Sequence, residues 1–207
     1  MNTLEAARSA LFQISKPVFV TTEAGSHLSF THHHPEGSRK TAEDIPFAAY
    51  APAVPMHALG DRTFMHRHRL AFPYVAGAMA NGISSVQMVE TMAENGMVGF
   101  FGAGGLSLEK IRDAVLHLTS CLKNKPFGCN LIHSLTDPDH EMATVQLYLD
   151  HGVRLISAAA FMRMTPALVY YRIKGIHKTP DGSICAPNQI IAKVSRIEIA
   201  RQFFSPP

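Results

Sequence analysis

Two runs of small residues and two polar side chains in this chain have the types and spacing to hold a ligand. The first run, Val75-Ala76-Gly77-Ala78-Met79-Ala80-Asn81-Gly82, follows a short apolar stretch from Ala71 to Val75. The second, Gly102-Ala103-Gly104-Gly105-Leu106-Ser107, follows Met97-Val98-Gly99-Phe100-Phe101 and opens into a helix. Small residues let a flat ligand lie against the backbone, whose N–H groups then become available donors. Either run alone also reads as a tight strand-to-helix connection. Neither has the G-x-G-x-x-G spacing of a dinucleotide fingerprint. Asn130 lies in the apolar run Gly128-Cys129-Asn130-Leu131-Ile132 and offers both a donor and an acceptor. A buried amide of this kind either binds a ligand or satisfies backbone. Lys193 stands near the end of Ile190-Ile191-Ala192-Lys193-Val194 and, taken alone, reads as a solvated lysine at a strand end.

The twelve histidines show no H-E-x-x-H or related helix-face spacing, so no metal site is expected. His32-His33-His34 reads as a polar loop, while His133, just after the third strand, is a candidate to face a pocket. Met88, Met92 and Met97 read as core packing. The three cysteines, Cys121, Cys129 and Cys185, are odd in number and lack C-x-x-C spacing. They indicate neither a disulfide framework nor zinc, and they fit a reducing, cytoplasmic setting.

The elements that must position these residues fall into two textures. Residues 1–65 are irregular and read as an appendage. It has a short helix starting at Asn2 with Glu5 in a capping box, then a β-hairpin of Pro17–Thr22 and His27–Phe30 around a Glu23-Ala24-Gly25-Ser26 turn. Residues 46–57, with Pro46, Pro52 and Pro55, read as an extended linker. From about residue 66 the pattern alternates strand and helix. Ser84 with Gln87 caps a helix whose inward residues are Val86, Val89, Met92 and Ala93 and which ends at Asn95-Gly96. Ser107 caps a helix with the stripe Ile111, Ala114, Val115, Leu118 and Leu122. Asp137-Pro138 starts a helix that buries Met142, Val145 and Leu149. Thr165-Pro166 starts another, and Ser195 with Glu198 caps the last. Five strands alternating with helices imply a parallel sheet. A doubly wound open sheet could stop at five, whereas a barrel needs eight strands and typically about 250 residues. Periodicity does not choose between them.

Of the 207 residues, 46% are hydrophobic and 17% charged, an ordinary globular balance that excludes disorder. The net charge of +3 is small and scattered. Met65-His66-Arg67-His68-Arg69 reads as a solvated loop, because a nucleic-acid footprint needs a larger basic face. No secretory leader is visible, and no stretch approaches the roughly 20 apolar residues of a membrane span.

In their order, Val75–Ala80, the loop at 102–107 and Lys125-Pro126-Phe127-Gly128-Cys129-Asn130-Leu131 resemble the nitronate monooxygenase-like superfamily of FMN barrels. The likeness is closer to one branch, the trans-acting enoyl reductase subunits of bacterial polyunsaturated-fatty-acid synthases and their polyketide relatives. The hairpin appendage, Asn130 to Ser134, Ala159-Ala160-Phe161 through Thr165-Pro166, and Ile191 to Arg196 all look like that branch. The resemblance implies an α/β fold, an incomplete TIM-type (β/α) barrel of about five parallel strands behind the hairpin appendage. It implies an FMN site in which Ala76, Gly77, Ala78 and Met79 line the flavin with backbone, Gly104 lies in the neighbouring loop, Asn130 bonds the ring or ribityl chain, and Lys193 sits near the pyrimidine edge. It also implies NADPH as hydride donor, a 2-enoyl thioester on acyl carrier protein as substrate, and other synthase subunits as partners. The branch's Gly-Gly-His segment and its phosphate loops after a seventh and eighth strand are not found in this sequence. The catalytic residues of that second half therefore go unnamed, and this polypeptide alone is expected to bind FMN weakly or not at all. An unclosed barrel is also expected to self-associate. The alternatives are a non-catalytic fragment acting in docking and a nitronate-oxidising flavoenzyme.

Overall fold

The computed structural model describes residues 3–23, 27–34 and 47–205. The contacts divide the chain into two units at Thr63/Phe64.

The first unit contains α1 (Thr3–Leu11) and a three-stranded antiparallel sheet of β1 (Val18–Glu23), β2 (His27–Thr31) and β3 (Phe47–Ala51), in the order β2-β1-β3. The hairpin of the sequence reading is present, with Val20 opposite Phe30. Its turn at 24–26, the helix start at Asn2 and Pro46 lie outside the described residues. The linker reading is corrected. Residues 47–51 pair with β1, and the ring of Phe19 lies 5.0 Å from that of Tyr50. Prolines flank this strand without interrupting it, so its donors remain free to pair.

The second unit is built on a five-stranded sheet, every pair parallel: β4 (Val75–Gly77), β5 (Val98–Phe101), β6 (Phe127–Ile132), β7 (Leu155–Ala159) and β10 (Gln189–Ala192). Between them run α3 (Val86–Glu94), α4 (Leu108–Leu122), α5 (Pro138–Asp150) and α6 (Pro166–Ile173), and α7 (Ile197–Phe204) follows β10. A small antiparallel pair, β8 (His177–Lys178) and β9 (Ile184–Cys185), precedes β10. The spatial order β10-β7-β6-β5-β4 follows the sequence order with no reversal. A doubly wound sheet reverses at a switch point. The choice left open by periodicity therefore falls to the barrel-type winding.

Side chains alternate across the strands. Phe101, Cys129, Leu131, Ile156 and Ala158 pack against the helices, with Val89, Val115, Leu118, Val145, Tyr148 and Leu168 facing them. Val98, Phe100 and Leu155 point to the opposite, inner face. That face is covered by Phe64 and Met65 of α2 (Arg62–His68) and by Leu70. Here the reading of residues 65–69 as a solvated loop is corrected. Asp61 accepts the Thr63 N–H at 2.8 Å, a local start signal for a short helix that seats two apolar side chains beneath the sheet.

Other boundaries shift by a residue or two. The first strand is Val75–Gly77 rather than the run before it, because Pro73 cannot donate to a ladder. Ser85, not Ser84, caps α3 by accepting the Met88 N–H. Gly96 ends that helix at φ +73°, a left-handed conformation that suits glycine. The residue before α7 is Arg196, with no side-chain cap, and Glu198 lies 3.6 Å from its Nε instead. Ser107, Asp137 and Thr165 cap their helices as expected.

Candidate functional site

Because the sheet is parallel, all the loops that follow its strands emerge at one end. The first two are fastened together. Asn81 N–H donates to Gly104 O at 2.7 Å, Gly82 N–H to Gly102 O at 2.9 Å, and Gly102 N–H to Ser84 O at 3.0 Å. The Ser84 hydroxyl, freed from capping and fully buried, accepts the Met79 N–H at 2.8 Å. Ala78 N–H donates to Phe100 O at 2.9 Å. Five of the amides that the sequence reading made available to a ligand, those of Ala78, Met79, Asn81, Gly82 and Gly102, are thus engaged within the protein. Ala76 and Gly77 lie in β4 itself.

Gly104 and Asn130 come together. Asn130 is 1% exposed, and its amide donates to Ser157 O at 3.2 Å across the β6–β7 register. Among the described residues its Oδ1 has no partner, and neither has the buried Ser157 Oγ. A Cβ added to Gly104 would stand 3.2 Å from Asn130 Oδ1 and run into Ile132. The backbone alternative holds for the Asn130 donor, and its acceptor is left over. A buried polar atom without a partner costs about 1–3 kcal/mol, so such atoms mark places where water or a ligand completes the structure.

Asn130 and Gly104 line a cavity of about 400 Å³, which is closed by Ala103–Ser107, the end of β6, and the first turns of α5. Ala76–Met79 and Lys193 do not line it. They stand on the flanking strands, at the β4 and β10 sides of the sheet. Lys193 is exposed and follows β10 directly, its N–H donating to Ala158 O at 2.8 Å. By strand alternation it shares the inner face with Ile191.

The cavity holds a further pair that sequence reasoning saw only in part. His133 Nδ1 lies 2.8 Å from Glu141 Oε2, and Glu141 Oε1 accepts the Thr165 hydroxyl at 2.6 Å. The reading placed Met142, Val145 and Leu149 inward on α5, and all three pack on the core, Met142 and Leu149 partly buried. The buried positions also include Glu141, Thr144, Leu147 and Tyr148, so what the reading missed is a carboxylate at the first inward position. Its i, i+4, i+7 relation to Val145 and Tyr148 is the signal that could have found it. Elsewhere, on the outer faces of α3 and α4, Glu90, His117 and the exposed Cys121 gather, with His117 Nε2 2.8 Å from Glu90 Oε1.

No family model matches the chain. It is 46% identical over 157 residues to the polyketide biosynthesis protein ThaF of Burkholderia thailandensis, covering 75% of this chain and 13% of that protein. It is 35% identical over 205 residues to one of the polyunsaturated fatty acid synthase subunits of Thraustochytrium sp., covering 98% of this chain and 13% of that one. Among solved structures, the enoyl reductase domain of MlnA from the macrolactin cluster of Bacillus amyloliquefaciens superposes with a TM-score of 0.70 at 38% identity. That match covers 74% of this chain and 35% of the other. The chain is similar to enoyl-reductase-like components of polyunsaturated-fatty-acid and polyketide synthases. A FabK mutant from Thermotoga maritima, TM-score 0.53 at 19% identity, shares the fold. The enoyl-reductase likeness carries the incomplete TIM-type reading of the sheet with it. The chain spans 13% of the length of each of these two curated relatives. Among the described residues, no helix is long and apolar enough to cross a membrane.

Proposed function

We propose that this chain supplies the ring-binding wall of a flavin-dependent enoyl reductase, acting in the cytoplasm on 2-enoyl thioesters of acyl carrier protein during polyketide or polyunsaturated-fatty-acid synthesis. The observation that carries the reading is Asn130 Oδ1, a buried acceptor without a partner among the described residues beside the side-chain-free Gly104, with Ser157 Oγ likewise unpartnered on the neighbouring strand. A flat heterocycle bearing both donors and acceptors fits such a place. Bound FMN would supply hydride chemistry, with NADPH as the source of electrons. The protein's part is to hold and orient. Asn130 and Ser157 would bond the ring system, and Gly104 would let it approach. Ala76–Met79 would flank it along the β4 side. The Lys193 ammonium, on the inner-face side of β10, would balance negative charge that develops on the ring. Other synthase subunits are the partners that this setting requires.

Every residue given a role here, Asn130, Ser157, Gly104, Ala76–Met79 and Lys193, is directed at the ring system, so the ring should dominate recognition by these residues. Titration of the chain with FMN and with riboflavin, followed by flavin fluorescence, tests this. The expected dissociation constants lie above about 1 μM, close to one another, and rise about tenfold, or 1.4 kcal/mol, in Asn130→Ala. An Asn130→Ala variant that binds flavin as tightly as the wild type, or a wild type that leaves the flavin spectrum unchanged at millimolar concentration, refutes the proposal.

A further inference from the structure

His133 is held as an acid–base group is held. Its side chain is 7% exposed and that of Glu141 3%. Glu141 Oε2 takes both the His133 contact and the Ser134 N–H at 3.2 Å, while Oε1 takes the Thr165 hydroxyl. An ionised Glu141 can only accept, and that arrangement places the proton on His133 Nδ1 and leaves Nε2 for other work. The ring is pinned by stacking on Phe161, centroids 5.2 Å apart. Nε2 is buried and has no partner among the described residues, although His133 lines the cavity that Asn130 also lines. The other titratable side chains there are less prepared: Asp137 is engaged in capping α5 through the His140 N–H, and the His140 ring has no orienting partner among the described residues.

We propose that His133, oriented by Glu141 and Thr165, is the proton donor of this cavity, passing a proton from Nε2 to the α-carbon of a bound enoyl thioester. This rests on the enoyl reductase reading above, with reduced flavin as the class of hydride source. The Nε2–H bond breaks and an α-carbon–H bond forms. The electron pair of the new bond is the one the carbon–carbon double bond releases as hydride reaches the β-carbon. The imidazolium becomes a neutral imidazole, its proton still on Nδ1 toward Glu141, and it recovers the Nε2 proton from solvent. Glu141 and Thr165 are positioning residues in this scheme.

The first test needs no flavin. In the 207-residue chain labelled with ¹⁵N-histidine, NMR should show neutral His133 as the Nδ1–H tautomer. Crotonyl-pantetheine should shift its Nε2 resonance, and Glu141→Gln should abolish the tautomer preference. An Nε2–H tautomer, or an Nε2 resonance that saturating thioester leaves unmoved, overturns the proposal. The second test uses the chain with saturating FMN and NADPH. His133→Gln should slow enoyl reduction by about 100-fold or more, with flavin binding within twofold of wild type. Reduction at the wild-type rate in that variant overturns the role of His133 and leaves the flavin reading standing. Failure of the wild type to bind flavin removes that reading instead, and the NMR result then decides for His133 on its own.

Discussion

A methyl group on Gly102 would run into the carbonyl of Met79, at the seam where two strand-tip loops are joined. Neither neighbour can yield without breaking a hydrogen bond, because both are backbone. Gly102→Ala should therefore cost about 1–3 kcal/mol, read as a lower urea midpoint at unchanged slope. A variant as stable as the wild type would show that the seam is not rigid. At this scale the sequence was readable where a residue broke the pattern of its surroundings. Asn130 stood out as an amide in an apolar strand, and it carries the orphaned acceptor. Glu141 did not stand out, since a carboxylate in the first turn of a helix has an ordinary explanation in the helix dipole. Its burial depends on Thr165 and His133, which arrive from other strand tips. Ser84 and Ser85 compete for the cap of α3, and only the loop behind them decides which is free.

The helices on the outer face are tied to the sheet by tyrosines. Tyr148 of α5 donates to Asn130 O at 2.7 Å, and Tyr171 of α6 donates to Val153 O at 2.9 Å. Cys129 lies in the same core. Burial, as the first cause, pushes all three groups well above their ordinary values of 10.0 for the phenols and 9.0 for the thiol. The sign follows directly. Above pH 9.0 the unfolded chain releases protons that the folded chain keeps, so stability falls as pH rises through the unfolded values. Each group can contribute up to about 1.4 kcal/mol per pH unit. Urea unfolding at pH 8 and pH 10.5 should show this loss, and Tyr148→Phe should make it shallower; equal stability at both values would mean the phenols are hydrated. Long elements were legible for the same reason that they are stable. The stripe Ile111, Ala114, Val115, Leu118 and Leu122 recurs along the 15-residue α4 and is wholly buried. Short ones were not. The 7 residues of α2 and the 5 of β3 offer too few repeats for a period to emerge, and both take their order from surfaces distant in sequence.

Across the second unit, β4 and β10 each have a strand neighbour on one side among the described residues. Val75 on β4 is 47% exposed, with Tyr74, Met79 and Ile83 exposed beside it. An apolar open edge of this kind recruits another strand. Self-association is expected in sedimentation velocity at tens of micromolar chain (about the range where weak edge pairing shows), and Val75→Lys should shift the population to monomer. A wild type that sediments as a single monomer at those concentrations would contradict this. The two sides of the cavity differ in how they are built. The β4 and β5 tips are joined backbone to backbone, whereas the loop from Ser134 to Asp137 takes its N–H bonds from the Glu141 carboxylate and the Ser134 hydroxyl. One jaw is thus a fixed anvil and the other hangs from a single ionisable hinge pin. Whatever enters the cavity and engages His133 pulls on the group that sets the hinge, so occupancy and the posture of that loop should change together.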